Sequence, residues 1–141
     1  MHKFKKETWS NGLRVVYAPM SGTQTVTILV LVGTGSRYET KNINGISHFL
    51  EHMFFKGTIK RPGKSQIAQE LDAVGAAYNA FTDKELTGYW VKTDSKHADL
   101  AFDVVSDIFL NSTIPAAEIE KERGVIIGEI DMYEDTPTRK I

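Results

Sequence analysis

With 141 residues, 41% hydrophobic and 25% charged, the chain has the material for one globular domain with its own core. A net charge of −1 excludes the electrostatic signature of a nucleic-acid binder or a polybasic membrane anchor, and no apolar run approaches the ~20 residues of a membrane-spanning helix. Zero cysteines exclude disulfides and thiolate metal sites. Together with a start, Met1–Glu7, that lacks a signal-peptide apolar stretch, this predicts a cytoplasmic protein.

In chain order, Phe4–Trp9 and Leu13–Ala18 read as two short strands, with Asn11-Gly12 between them as a tight-hairpin signal. Lys3, Lys5 and Lys6 are balanced by Glu7 and read as a solvated strand edge. Gln24–Val32 is rich in β-branched and apolar residues and predicts a central, buried strand. Gly33-Thr34-Gly35 ends it. A phosphate loop is a poor fit there, because neither a dinucleotide fingerprint nor a Gly-Lys-Ser/Thr follows; the glycines instead free the backbone for a loop leading to Asn44 and a helix from Ile46. Ser65 can cap a helix over Gln66–Val74, ended by Gly75, with Ile67, Leu71 and Val74 as core. Strands are predicted at Ala77–Thr82 and Leu86–Thr93. Asp94 or Ser95 then caps a helix through Leu110 that buries Leu100, Ala101, Val104, Val105, Ile108 and Phe109. His2 and His97 read as surface residues. Pro115 suits the start of a last helix, Ala116–Glu134. The order predicts an α+β fold, a mixed or antiparallel sheet with helices packed on one face, and shows no internal repeat.

The residues with chemistry lie in one turn, His48-Phe49-Leu50-Glu51-His52. Histidines four apart share one helix face about one turn (~5–6 Å) from each other, a spacing that lets two imidazoles bind one metal ion. At 100° per residue, Ile46, Phe49, Leu50, Met53 and Phe54 fall on one arc and His48, Glu51 and His52 on the opposite one, with Phe55 on the chemical side, where it can line a pocket. A carboxylate beside a metal-activated water suits hydrolysis with Glu51 as general base; H-x-x-E-H is the inverted form of the zinc-protease motif. By itself the motif is equally readable as two surface histidines and a solvated glutamate on an amphipathic helix.

A catalytic zinc usually takes three protein ligands and leaves one position open. Without cysteine, the third must be His, Asp or Glu. The last helix offers Glu118, Glu122 and Glu129 in a narrow arc beside an apolar stripe of Ile119, Ile126, Ile130 and Tyr133. A glutamate row bordering an apolar face is costly without a nearby cation. Lys121 and Arg123 are predicted to point away from that row, so local pairing explains it poorly.

Taken together, these segments resemble the pitrilysin/insulinase family of zinc endopeptidases, including mitochondrial processing peptidase and its bacterial relatives. In that family the H-x-x-E-H pair is completed by a glutamate 77 positions after the second histidine, and here 52 + 77 gives Glu129. A supporting glutamate seven residues earlier corresponds to Glu122. Further matching segments are Gly33–Glu39, Phe55–Thr58, Asn79–Thr82 and Asp135-Thr136-Pro137, so the resemblance runs from about Trp9 to Pro137. It implies one zinc per chain held by His48, His52 and Glu129, catalysis by Glu51 with Glu122 orienting a ligating histidine, and an edge strand at Asn79, Ala80 and Phe81 that pairs with an extended peptide substrate.

It also implies that residues 1–141 are the N-terminal, metal-bearing part of a longer protein, an incomplete half of a two-half clamshell. The second half, or a partner subunit, would supply an Arg/Tyr pair for the substrate carbonyl, and the isolated chain would be weak or inactive; a dimer is possible on the same grounds. Three other readings compete. A non-catalytic assembly subunit usually lacks one of His48, Glu51, His52 and Glu129, all present here. A lyase of related fold, of the S-ribosylhomocysteine type, needs a cysteine. A bare metal-binding module is separated from the enzyme only by peptide cleavage. His/carboxylate ligation also suits manganese or cobalt.

Overall fold

The computed structural model describes residues 4–134; His2, Lys3 and the Asp135-Thr136-Pro137 segment lie outside the described residues. Two strands, β1 (Lys5–Thr8) and β2 (Arg14–Tyr17), pair antiparallel as a separate hairpin, with Lys5 opposite Tyr17 and Thr8 opposite Arg14. Its turn is wider than the two-residue form that Asn11-Gly12 predicts. Gly12 N–H donates to Trp9 O, Trp9 N–H donates to Leu13 O, and Gly12 sits at φ 85°, a left-handed conformation open to glycine at no steric cost.

The second sheet has the order β3-β5-β4, all antiparallel: β3 (Thr25–Val32), β4 (Ala77–Thr82) and β5 (Thr87–Asp94). β5 is the central strand. β3 is not the buried central strand its composition predicts: among the described residues it is an edge. Val26, Ile28, Val30 and Val32 face inward, while Leu29 and Leu31 stand on the other face, Leu31 56% exposed. Apolar residues on both faces of a strand do not reveal which face the helices cover.

Helices α1 (Ile46–Phe54), α2 (Lys64–Asp72), α3 (Ala98–Leu110) and α4 (Ala116–Glu134) complete the fold. The core lies between sheet and helices, on one face as predicted: Tyr89 and Val91 of β5 meet Ala101, Val104, Val105 and Ile108 of α3 and Ile67 and Leu71 of α2. Phe54 stacks on Tyr89 with ring centroids 5.2 Å apart, which seats α1 beside this core. Two helix starts differ from the sequence reading. α2 begins one residue before Ser65, with Gly63 at its N-cap and Gly63 N–H held by Gln66 Oε1 at 3.0 Å, so the Gln66 side chain satisfies a donor that a Ser65 cap would have left to solvent. Ahead of α3, Ser95–His97 form a tighter 3-10 turn, and the Asp94 carboxylate accepts from Lys96 N–H there.

The loop after α1 is fastened by an ion network around a buried arginine. Arg61, 2% exposed, donates to Glu70 of α2 and to Asp103 and Asp107 of α3, while Thr58 Oγ1 donates to Asp107 at 2.5 Å. Burial acts against the charge on Arg61, but its three carboxylate partners outweigh it and keep the guanidinium firmly charged. No helix among the described residues is long and apolar enough to cross a membrane.

Candidate metal centre

The site is built on α1, and α1 is aimed from its N-terminus. Glu39 reaches across the preceding loop and accepts from Gly45 N–H at 2.6 Å and Ser47 N–H at 2.8 Å, two backbone donors that the first helical turn leaves without partners. Partial burial pushes the Glu39 carboxyl up, but those N–H groups outweigh it and hold it below the ordinary carboxylate range. The loop itself is pressed on the β4–β5 turn: Ser36 N–H donates to Asp83 O and Arg37 N–H to Lys84 O, and Arg37 pairs with Glu85. A Cβ at Gly35 would lie 2.1 Å from Asp83 O, so only glycine allows that approach.

This places the α1 side chains against α4. His48 Nε2 and His52 Nε2 are 3.1 Å apart, and Glu129 Oε2 lies 3.4 Å from the first and 3.7 Å from the second. Donor atoms at these separations are close enough to share one ion at ligand bonds of about 2.1 Å. Two neutral imidazoles and a carboxylate are also a donor set that zinc accepts. Among the described residues these three side chains could hold a metal ion, their ligand atoms all lying within 4.8 Å of one another.

Behind His52, Nδ1–H donates to Glu122 Oε1 at 2.8 Å, and Lys56 Nζ donates to Glu122 Oε2 at 2.6 Å. Burial of the Glu122 carboxyl, 4% exposed, pushes it up, but Lys56 and His52 hold it below the usual carboxylate range. An ionised carboxylate only accepts, so Nδ1 carries the His52 proton and Nε2 keeps its lone pair for a ligand. Glu51, between the two histidines in sequence, accepts from Thr82 Oγ1 of β4 at 2.5 Å. A cleft of about 210 Å³ joins Glu51 and His52 to Phe55, Lys56, Asn79, Ala80 and Glu122.

The sequence-predicted residues are thus gathered with one exception. Asn79 and Ala80 line the cleft, and the Asn79 side-chain oxygen accepts from Ala80 N–H at 2.9 Å. The Phe81 ring lies instead over Gly88, where an added Cβ would be 2.4 Å from its Cζ. Phe55 lines the cleft as its helical position predicts, its ring 6.2 Å from that of Tyr78.

The predicted apolar stripe of α4 is only partly covered: Ile119 and Ile126 are half-buried. Its last two members, Ile130 and Tyr133, are 52% and 45% exposed, whereas Glu122 is buried. The reason is the surface α4 meets, which carries His48, His52 and Lys56 and so takes carboxylates. Lys121 does not point away from the acidic row: its Nζ donates to Glu118 Oε1 at 2.6 Å, while Arg123 pairs with Glu120. Local pairing thus explains Glu118 but not Glu122 or Glu129. Thr82, Lys56 and Glu39 have site contacts that no spacing in the sequence signals, because each acts on a residue of another segment.

The sequence profile described as Insulinase (Peptidase family M16) matches residues 14–141. The chain is 49% identical over 133 residues to a protein of Bacillus subtilis (strain 168) called uncharacterized zinc protease YmxG, covering 94% of this chain and 32% of that one. It is 46% identical over 124 residues to the mitochondrial-processing peptidase subunit beta of Rattus norvegicus, covering 88% and 25%. The crystal structure of a protease from Helicobacter pylori superposes with a TM-score of 0.89 over 99% of this chain and 34% of that one, at 28% identity. The chain therefore spans about a quarter to a third of the length of these relatives. With a profile match over nearly its whole length, the chain belongs to the insulinase family, peptidase family M16.

Proposed function

We propose that this chain is the metal-bearing part of a zinc-dependent metalloendopeptidase that hydrolyses peptide bonds in extended or unstructured peptides. The observation that carries the reading is the convergence of His48, His52 and Glu129 on one point, with the Glu51 carboxylate beside it in the same cleft as the β4 edge. The family and the names of its zinc-protease relatives support the same chemistry.

One zinc per chain, when bound, supplies Lewis acidity that polarises the scissile carbonyl and acidifies water. Glu51 takes the proton of the attacking water and passes it to the leaving amine nitrogen. Thr82 holds Glu51 toward the cleft and keeps one carboxylate oxygen occupied, leaving the other for that proton. Glu122 fixes the His52 tautomer and ring. At Asn79 and Ala80 the β4 edge offers main-chain groups to an extended substrate, with Phe81 continuing the strand and its ring on the far side.

The length of the relatives supports a role for additional chain, or a partner subunit, in closing the site around substrate; residues 1–141 alone are expected to cut peptides weakly or not at all. The test is zinc content and peptide cleavage, the latter measured with the chain extended to the length of its relatives. We expect about one zinc per chain, lost in a His48→Ala/His52→Ala variant. Glu51→Gln should retain zinc and lose turnover by about 10²–10⁴-fold. Near-normal turnover of Glu51→Gln would remove Glu51 as general base, and a chain that takes up no zinc at neutral pH would overturn the metal centre.

A further inference from the structure

We propose that Lys56 is a positioning residue for the metal centre, holding the Glu122 carboxylate in the one orientation that presents His52 Nε2 to the ion. The inference rests on the metal-centre reading above. Its basis is a chain of three side chains in which each Glu122 oxygen is taken by a different group. Lys56 Nζ sits on Glu122 Oε2 at 2.6 Å, Glu122 Oε1 on His52 Nδ1 at 2.8 Å, and His52 Nε2 faces His48 Nε2 at 3.1 Å.

With Oε2 pinned by an ammonium, the carboxylate cannot rotate about its Cγ–Cδ bond without giving up that contact, and Oε1 stays on Nδ1–H. The His52 ring is then locked against the flip that would turn Nδ1 toward Glu129. Lys56 is suited to this role by its place. It follows the last turn of α1, where its N–H donates to Met53 O at 3.0 Å, so its backbone is fixed to the helix that carries both histidines. Its side chain is mostly buried, and so is the Glu122 carboxylate it meets. Partners of metal ligands at this remove typically change metal affinity by 10–100-fold when removed.

The experiment is zinc affinity by chelator competition for the parent chain, Lys56→Met, Lys56→Arg, Glu122→Gln and the Lys56→Met/Glu122→Gln double variant, with circular dichroism to follow folding. Lys56→Met is expected to bind zinc about tenfold more weakly, Lys56→Arg to stay within about threefold of the parent, and the double variant to bind no more weakly than Glu122→Gln alone. Lys56→Gln, which retains a donor without the charge, replaces the Met variant if that one does not fold, and the same loss is expected of it. Parent-like affinity in the neutral variants, or losses that multiply in the double variant, would overturn the role, because a merely structural lysine acts independently of Glu122. A parent chain that binds zinc beside unaffected Lys56 variants sinks this inference alone; a parent chain that binds none sinks the metal-centre reading beneath it.

Discussion

Glu39 holds the start of α1, and its removal has a calculable cost. Its carboxylate closes two backbone donors at the start of α1, Gly45 N–H at 2.6 Å and Ser47 N–H at 2.8 Å. Loss of a helix cap costs about 0.5–2 kcal/mol, and a negative charge at a helix N-terminus contributes about 0.3–1 kcal/mol more. With both N–H groups able to recover water in part, Glu39→Ala is expected to cost about 2 kcal/mol, or about 6–8 °C in Tm for a chain of this size. The pH dependence follows from the direction of the shift. The folded carboxyl is held below its ordinary 4.5, so its stabilisation is fully present above that value and is lost as pH falls through the lower folded value. Urea unfolding of the parent and Glu39→Gln at a series of pH values checks this: the stability gap should be constant from neutral pH to about 5 and should close as the parent is acidified below 4.5. A gap that persists unchanged in acid, or a Glu39→Ala variant as stable as the parent, would refute carboxylate capping of α1.

Two further perturbations probe the frame around the site. Arg61→Met leaves Asp107 buried without its cation, while Glu70 and Asp103 are exposed enough to turn to water; a loss of about 3–5 kcal/mol is expected in urea unfolding, and a loss under about 1 kcal/mol would mean the network is dispensable. Gly35→Ala drives a Cβ to 2.1 Å from the Asp83 carbonyl, a backbone atom, and should cost about 1–3 kcal/mol; parent-like melting would show that the loop does not press on the β4–β5 turn.

The long elements were legible because their signals are local. The 3.6-residue spacing of Ala101, Val104, Val105 and Ile108, the β-branched runs of β3 and β5, and Gly75 after α2 each announce an element from within it. So does the His48/Glu51/His52 group, whose members share one turn. What was not legible depends on a partner elsewhere. Leu29 and Leu31 look like core until it is known which sheet face the helices cover. Ile130 and Tyr133 look like the inner face of α4 until its neighbour proves to be polar. Thr82 reaches Glu51 across 31 positions, and Glu39 grips α1 from a loop with no periodicity at all. Glu129, by contrast, was reached only by resemblance, since its helix offers Glu118 and Glu122 on the same arc.

That choice among three glutamates has a physical resolution in how α4 docks. Glu118 is matched by Lys121 on its own helix and Glu122 by Lys56 and His52, whereas Glu129 lies 3.4 and 3.7 Å from the two imidazole Nε2 atoms. On the His52 side Glu129 faces a ring nitrogen without a proton, because Nδ1 already holds the His52 proton against Glu122. A divalent cation would satisfy this carboxylate and both imidazoles at once. The same accounting explains why α4 buries its acidic side although Val125, Ile127 and Ile130 are available on its other faces. The helix is oriented by what α1 and the turn after it present, the His52 and Lys56 side chains that pair with Glu122.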